Sequence, residues 1–419
     1  MSSDGSEGGV GETTVVEYGN GNSGVEVPGE DDALRADVSL LTTLHDQVLR
    51  EDGLGWIVDL IREVIVAIAD QDAARASSVI GSLDVTQAAE LAKALTVHFH
   101  LTNLADERYR VRLMRGETPA EGYSDDTEGG SVDAVWPAVA ATGADASRLD
   151  GLRIHPVLTA HPTEARRRAV ASALRRIAEH LDLHDAAHEG SELRRIAVRR
   201  MLEDIDTLHR TSPLRIKQPE PKDEVRTIMT VFDQTLFRTL PQLYRAVEAA
   251  LGTSEAGRVK PVVPAFVRFG SWVGGDRDGN PFVTAQVTRE AMAIHADHVL
   301  RGLQTACERI ARTLTMDETT TPPSARLLES LANDAVVAPA RFREIAQSSP
   351  GEPYRQKLMV IASRVAATRQ GDLEMAYRSP EDMLAELRML QESLAAAGAL
   401  RAAYGELQNL VWQVETFGF

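Results

Sequence analysis

Apolar residues follow one face of a helix along most of this chain. Between residues 34 and 49, and again between 91 and 99, they recur at the spacing of an amphipathic helix. The same pattern predicts helices in four further segments: the chain after Thr163, residues 192–211, residues 222–250 and residues 284–419. We therefore expect a mainly α-helical protein.

Two short runs differ from this pattern and predict β-strands. Ile154–Leu158 and Val262–Phe269 are brief and contain β-branched residues, which is typical of buried strands. Residues 117–150 are rich in glycine, alanine and aspartate and predict a connecting loop.

The charge of the chain is strongly and unevenly negative. Its 419 residues carry a formal net charge of −17, which argues against nucleic acid or an anionic membrane as a partner. Eight acidic residues and no lysine or arginine fall within the first 32 residues. We predict a disordered acidic tail over residues 1–33 and a folded domain over residues 34–419.

No segment predicts export or insertion into a membrane. The N-terminus lacks the basic start and apolar core of a secretory signal, and the most apolar run, Trp56–Ala69, contains three charged residues. The single cysteine, Cys307, excludes an internal disulfide, and its helical setting predicts a packed thiol. We expect a cytoplasmic protein.

A histidine lies between the first predicted strand and the helix that follows it. Pro162 biases His161 away from helical dihedrals, which helps to aim its ring outward, and Thr163 is a plausible N-cap. Positive charge in the first turn of a helix opposes the macrodipole, yet Arg166, Arg167 and Arg168 are all cationic. Two interpretations stay open: the arginines face solvent, or they bind an anion such as phosphate.

A glycine-rich segment follows the second predicted strand. Gly274 and Gly275 permit a tight backbone, and the alternation Asp276-Arg277-Asp278 lets carboxylates orient a guanidinium. Trp272 would shield a pocket from water. A purely structural turn locked by ion pairs and a direct contact with a substrate both remain open.

Candidate metal sites fail on geometry. His180, His184 and His188 share a helix face, but the first and last are about 12 Å apart along the axis, too far for one metal. A solvated face is the favoured interpretation. A calcium loop starting at Asp276 is excluded because Pro281 and Val287 replace the required glycine and glutamate. We predict no metal ligand in this chain.

The segment around His161 and the segment Phe269–Pro281 resemble, in the same order, two active-site motifs of the phosphoenolpyruvate carboxylases. Weaker similarity is found in four further segments: Leu34–Leu49, Asn103–Glu107, Leu214–Glu224 and Val414–Phe419. The resemblance covers the chain from about residue 34 to its end. It implies a mainly α fold with a few parallel β-strands, the N-terminal part of a helix-rich (β/α)8 barrel.

The resemblance also implies an activity. Members of this family are lyases that carboxylate phosphoenolpyruvate with bicarbonate, giving oxaloacetate for the tricarboxylic acid cycle and phosphate, with Mg²⁺ as cofactor. By motif match, His161 is the base that deprotonates the carboxyl group, and the glycine-rich segment supports the active site through Arg277, Asp276, Asp278, Trp272 and Asn280. Arg167 and Arg168 match positions associated with an activating sugar phosphate.

Family members are considerably longer than this chain. Their acidic metal ligands, a second signature and the arginines that hold phosphoenolpyruvate are expected beyond the equivalent of Phe419. The resemblance therefore predicts an incomplete barrel that is inactive alone and belongs to a homo-oligomer or needs a missing C-terminal half. The alternative is a non-catalytic helical partner that retains an anion site. Retention of His161 favours the enzyme, because a non-catalytic partner has no chemical need for a base.

Overall fold

The computed structural model describes residues 32–114, 132–141, 146–159, 168–212, 220–251, 257–277 and 280–419. Within these ranges the protein is mainly helical, with one pair of short parallel strands, as the sequence predicts. The helices are α1 (Asp32–Glu51), α2 (Gly55–Ala69), α3 (Ala73–Gly81), α4 (Val85–Met114), α5 (Val132–Ala141), α6 (Arg168–Ala186), α7 (Glu192–Arg210), α8 (Pro221–Val231), α9 (Phe237–Ala250), α10 (Ala285–Thr313), α11 (Ala325–Val337), α12 (Pro339–Ser348), α13 (Pro353–Gln370), α14 (Pro380–Ala396), α15 (Leu400–Tyr404) and α16 (Glu406–Phe417). The strands are β1 (Val157–Leu158) and β2 (Gly270–Ser271).

The chain divides into two compact units. The first comprises Met1–Thr127 and Ala165–Ile216, and the second comprises Glu128–Glu164 and Lys217–Phe419. Residues 1–31 of the predicted acidic tail lie outside the described residues, and α1 begins at Asp32. Across the described ranges, no helix combines the length and the apolar character that crossing a membrane requires.

The first unit is a helical bundle built on the predicted apolar stripes. Leu41 and Leu44 of α1 pack with Leu101 of α4, Ile177 of α6 and Met201 of α7 in one buried cluster. Burial of each such side chain contributes about 1.5–3 kcal/mol. The helix predicted over 192–211 is α7, whose N-cap Ser191 accepts a hydrogen bond from the backbone N–H of Arg194. The apolar stripes therefore predicted the helix faces that are buried in this bundle.

A charged network joins three helices at one end of this bundle. The Asp37 carboxylate of α1 accepts hydrogen bonds from Arg108 (2.8 Å) and Arg112 of α4. Arg108 also donates to Asp182 (2.7 Å) and Asp185 (2.8 Å) of α6. Burial raises the pKa of Asp37, although both arginines oppose that change. The network fixes the start of α1 against α4 and α6.

The prediction of a solvated histidine face on α6 is wrong for His184. This side chain is 8% exposed, and its Nε2 accepts a hydrogen bond from Arg194 Nε at 2.9 Å. His180 Nε2 lies 3.5 Å from a carboxylate oxygen of Asp204, whereas His188 is exposed. His184 is buried because α6 and α7 pack against each other along their length, so its side chain contacts α7 instead of water.

The second unit has its main core around α10 and α13. The predicted stripe Met383, Leu387, Leu390 and Leu394 of α14 is fully buried in that core. Cys307 is also fully buried, and burial raises the pKa of its thiol, which confirms the packed thiol.

Two elements of the second unit differ from the sequence-based expectation. The helix predicted over 222–250 is present as α8 and α9, but Phe232–Leu236 between them form a π-helical turn. The loop predicted over 117–150 is wrong where the structure describes it, because α5 and a 3₁₀ turn at Ala146–Gly151 lie there. Val132 and Leu149 pack into the same cluster as Tyr244 of α9. Composition gives no sign of this tertiary burial.

The two predicted strands pair in parallel, with shifted limits. Val157 is in register with Gly270, Leu158 is in register with Ser271, and Ile154 forms a bridge with Val267. The prediction that the first strand is buried is wrong: Ile154 is 44% and Val157 46% exposed. Among the described residues β1 pairs with β2 alone, so its remaining edge has no neighbouring strand to cover it.

Candidate active site at the carboxyl ends of the strands

The carboxyl ends of β1 and β2 lie at one edge of the sheet because the strands are parallel. The backbone N–H of Trp272, the first residue after β2, donates to the carbonyl of Leu158, the last residue of β1, at 3.0 Å. Thr159 continues the chain from β1 at this same edge. The two motifs found in the sequence therefore leave the sheet side by side, at the edge where α/β enzymes commonly bind ligands.

The glycine-rich segment forms a tight turn at this edge. The backbone N–H groups of Gly275 and Asp276 both donate to the Trp272 carbonyl, at 3.0 and 2.8 Å. Ser271 Oγ accepts a further hydrogen bond from the backbone N–H of Val273 at 3.2 Å. Val273 itself is buried, so the turn is anchored on its inner side.

Gly274 is required at the centre of this turn for two separate reasons. Its φ is +79°, in the left-handed region that side chains disfavour. A Cβ built on Gly274 would lie 2.8 Å from Ala291 Cβ of α10 and 2.9 Å from Val225 Cγ2 of α8. The turn is thus held between two helices, with no room for a side chain.

The two helices that hold the turn are themselves fastened together. Lys222 at the start of α8 forms an ion pair with Glu290 of α10, and its hydrogen bond lowers the pKa of that carboxyl. Farther along the same pair of helices, His298 Nδ1 lies 2.8 Å from Asp233 Oδ2, in the π-helical turn. These contacts keep α8 and α10 at the separation that accepts Gly274 and nothing larger.

The start of the motif is anchored by aromatic stacking. Phe269, just before β2, stacks on Phe417 of α16 with ring centroids 5.7 Å apart and planes 7° apart. Phe417 also packs edge-on against Phe232 at 4.8 Å. The family-like segment at the end of the chain therefore supports the strand that leads into the glycine-rich turn.

Several side chains of the motif that the structure describes are exposed. Trp272 is 58% exposed, and Asp276, Arg277 and Asn280 are exposed as well. Asn280 Oδ1 accepts a hydrogen bond from the backbone N–H of Phe282 at 3.0 Å, which orders the chain after the turn. The exposed side chains of Trp272 and Arg277 can be reached by a ligand at the sheet edge, and the supporting roles predicted for the motif stay predictions.

Several predicted site residues fall outside the described residues. His161, Arg167 and Asp278 lie in the gaps, as does the predicted N-cap Thr163. Arg168 is the first residue of α6. The structure brings the ends of both strands next to the glycine-rich turn. The roles predicted for His161, Arg167 and Asp278 rest on the sequence alone.

Nothing in the sequence indicates the residues that clamp the turn. Val225 and Ala291 are ordinary apolar residues of helices, and the fit against Gly274 is visible only in three dimensions.

In the part of the chain that the structure describes, no three His, Cys, Asp or Glu side chains are grouped so as to hold a metal ion. Two surface grooves of about 290 and 340 Å³ lie elsewhere, along α7 and beside α13.

Comparison with known proteins agrees with the arrangement of motifs. A family profile described as phosphoenolpyruvate carboxylase matches residues 34–419. Among curated proteins, the phosphoenolpyruvate carboxylase of Roseiflexus castenholzii is 32% identical, with 93% of this chain and 44% of the relative aligned. That of Aromatoleum aromaticum is 31% identical over the same shares. That of Nocardia farcinica is 30% identical, with 92% of this chain and 43% of the relative aligned.

Proposed function

The chain belongs to the phosphoenolpyruvate carboxylase family, and from that premise we propose that it takes part in converting phosphoenolpyruvate and bicarbonate into oxaloacetate and phosphate. The observation that carries this proposal is the parallel pair of strands. Their shared edge puts the chain that leads to His161 beside the glycine-rich turn. The chain thus enters the first motif, at Thr159, next to the glycine-rich turn of the second.

The chain spans about 44% of the length of the curated relatives it matches. We propose that β1 and β2 are part of a helix-rich (β/α)8 barrel whose other strands correspond to the unmatched portion of those relatives. The exposed edge of β1 is suited to pairing with a further strand. The activity is therefore proposed for a protein in which both portions are present.

His161 is proposed as the base of the reaction. Attack of bicarbonate on the phosphoryl group gives carboxyphosphate and the enolate of pyruvate. Removal of the carboxyl proton of carboxyphosphate by His161 then releases carbon dioxide and phosphate, and the enolate attacks the carbon dioxide. An imidazole suits this step because it is neutral near pH 7 and accepts a proton reversibly.

The glycine-rich turn is proposed to bound the reaction space. Trp272 is exposed at the sheet edge, where a ligand would cover it, so its ring can exclude water from a basic enolate. Arg277 carries the positive charge that phosphate and carboxylate groups need, and Asp276 and Asp278 flank it in sequence. The packing of Val225 and Ala291 against Gly274 would hold the backbone of the turn, and so the starting positions of these side chains, in place.

Magnesium is the cofactor that the family resemblance implies. The described residues supply no group of three suitable ligands, so they do not fit a metal site by themselves. We expect the ligands in the portion of the relatives that this chain does not match. The cytoplasmic location and the homo-oligomer also stay predictions.

Arg167 and Arg168 are proposed to bind the phosphate group of an activating sugar phosphate. Changing both to Gln should weaken the binding of glucose 6-phosphate by at least about a hundredfold, because each of the two lost charged hydrogen bonds contributes about 1.5–3 kcal/mol and a tenfold change in affinity is about 1.4 kcal/mol. Isothermal titration calorimetry on the purified chain measures this. Changing Arg175 and Arg200 to Gln is the matched control, since both are exposed arginines of the first unit, paired with Glu179 and Glu203. Equal affinity in both double variants would show that Arg167 and Arg168 only face solvent.

A polypeptide of these 419 residues alone is expected to form no oxaloacetate with any divalent metal. The arginines and acidic ligands that the resemblance requires are not among its matched motifs. It should also associate and bind a hydrophobic dye, because Trp272 is 58% and Phe282 68% exposed, and because the second edge of β1 pairs with no strand among the described residues. Sedimentation and dye fluorescence measure this. A monomer that binds no dye would contradict the proposed open edge.

A further inference from the structure

Besides His184, three histidines of the first unit are buried, and the proposed reaction uses none of them. His45 of α1 is fully buried, His209 of α7 is 3% exposed, and His98 of α4 is also buried. The ring centroids of His45 and His209 are 5.9 Å apart, with the planes tilted by 56°. We call this contact between the rings of His45 and His209 the histidine junction.

Three of the four ring nitrogens of the histidine junction lack a hydrogen-bond partner among the described residues. Both ring nitrogens of His45 and the Nδ1 atom of His209 are buried with none. A neutral imidazole leaves one donor and one acceptor unsatisfied, whereas a protonated ring adds a full charge and a second unsatisfied donor. Burial of that charge costs far more, so the core accepts these rings in their neutral form.

The carboxylate whose charge acts on His98 already has a cationic partner. Asp46 of α1 acts on His98 through its charge, and it accepts a hydrogen bond from Arg62 of α2 at 2.7 Å. The negative charge of Asp46 is therefore largely balanced by Arg62. It offers little compensation for a proton on the buried rings.

The groups facing His209 also balance one another. Asp52, just after α1, and Asp206 of α7 favour its protonation, while Lys93 of α4 and Arg210 of α7 oppose it. Both carboxylates are hydrogen-bonded to Arg210. No net negative charge is left to stabilise an imidazolium at this position.

We propose that the histidine junction is a pH-sensitive latch between α1 and α7. While both rings are neutral, the helices pack against each other around a shared apolar cluster that includes Leu44 and Leu208. When the surroundings become acid, an opened α1 can take up protons that the packed form excludes. The first unit would then loosen at α1 before the rest of its bundle.

The direction of the effect follows from the buried rings. Burial lowers the pKa of His45 to about 3, helped by the charges of His209 and His98, and burial also lowers the pKa of His209. The exposed form, with a pKa of about 6.5, therefore binds protons first as the pH falls. The stability that depends on these groups is complete above pH 6.5 and is lost progressively between pH 6.5 and pH 3.

Asp37 titrates in the opposite sense on the same helix. Burial raises the pKa of its carboxyl, so a falling pH favours the packed form at Asp37. Asp37 lies about two helical turns before His45. A pH series on one protein would mix the two effects, so the test must compare variants of His45.

Hydrogen exchange on the full chain at pH 7.5 and pH 6.0, corrected for the chemical exchange rate, measures the opening of α1. For a ring with a pKa of 6.5 when α1 is open and about 3 when α1 is packed, the equilibrium constant for opening of α1 rises about fourfold from pH 7.5 to pH 6.0. Both pH values lie above the isoelectric point of about 5.2, which avoids isoelectric precipitation. The wild-type chain should show at least this rise.

His45→Leu should reduce that rise about fourfold, because the leucine side chain does not titrate and fits the apolar stripe of α1. His45→Gln, polar but without a titrating group, should do the same and guards against a packing effect of the leucine. His188→Leu is the control, because His188 is an exposed histidine of the same unit. A wild-type rise that persists unchanged in both His45 variants, or no rise in the wild type, would overturn the latch.

Discussion

His161→Asn will reduce oxaloacetate formation by about 10²–10⁴-fold in a protein that carries both portions of the family's chain, which is the usual contribution of a positioned base. Phosphoryl transfer and deprotonation are separate steps, and only the second needs the imidazole. A slow, bicarbonate-dependent release of phosphate from phosphoenolpyruvate should therefore survive in the variant. Parallel assays of oxaloacetate and phosphate separate the two steps.

The matched control for His161 is His155. It is an exposed histidine on the chain that enters β1, only a few residues away, and no role is assigned to it. His155→Asn should leave both assays close to wild type. Oxaloacetate formation near the wild-type rate in His161→Asn would remove His161 from the reaction, and an equal loss in His155→Asn would show that the strand is merely sensitive to substitution.

Gly274→Ala will destabilise the second unit by about 2–5 kcal/mol. The left-handed backbone costs a residue with a side chain about 1–2 kcal/mol, and overpacking of a tight contact adds about 1–3 kcal/mol. Both costs apply here, because φ is +79° and the new methyl group would meet Ala291 and Val225 at under 3 Å. Equilibrium unfolding in urea, followed by signals from the second unit, measures the change.

Gly275→Ala is the internal comparison for this clamp. The nearest atom to a Cβ built at Gly275 is the Trp272 carbonyl oxygen at 3.8 Å, and its φ is not positive. We expect a change below about 0.5 kcal/mol, as for an ordinary surface substitution. If the two alanine variants were equally stable, the turn would not be held in the way the structure shows.

The helices were predictable because their signal is local. The apolar stripes of α1 and α14 appear in the sequence at the period of the helix, and the same residues are buried. The burial of His184 was not predictable, because it depends on α7 packing against that face of α6. The π-helical turn at Phe232–Leu236 was also not predictable, because it hardly changes the spacing of the apolar residues along the sequence.

The candidate site was predictable only as a set of motifs. The sequence indicated a strand before each motif, and the structure adds that these strands are parallel neighbours with Leu158 beside Ser271. The sequence could not indicate that Val225 and Ala291 contact the Gly274 position. Both residues lie in helices, and an apolar side chain in a helix carries no sign of which glycine it will meet. Pairing between distant segments is set by tertiary packing, which a local pattern does not contain.

The most direct test of the proposed function follows labelled carbon. The 419-residue chain is supplied with phosphoenolpyruvate, Mg²⁺ and ¹³C-bicarbonate, alone and joined to the portion of the Roseiflexus castenholzii relative that it does not match. We expect ¹³C-labelled oxaloacetate from the joined protein, a loss of that label in its His161→Asn variant, and none from the 419-residue chain alone. Labelled oxaloacetate from the 419-residue chain alone, or a folded joined protein that forms none, would contradict the account.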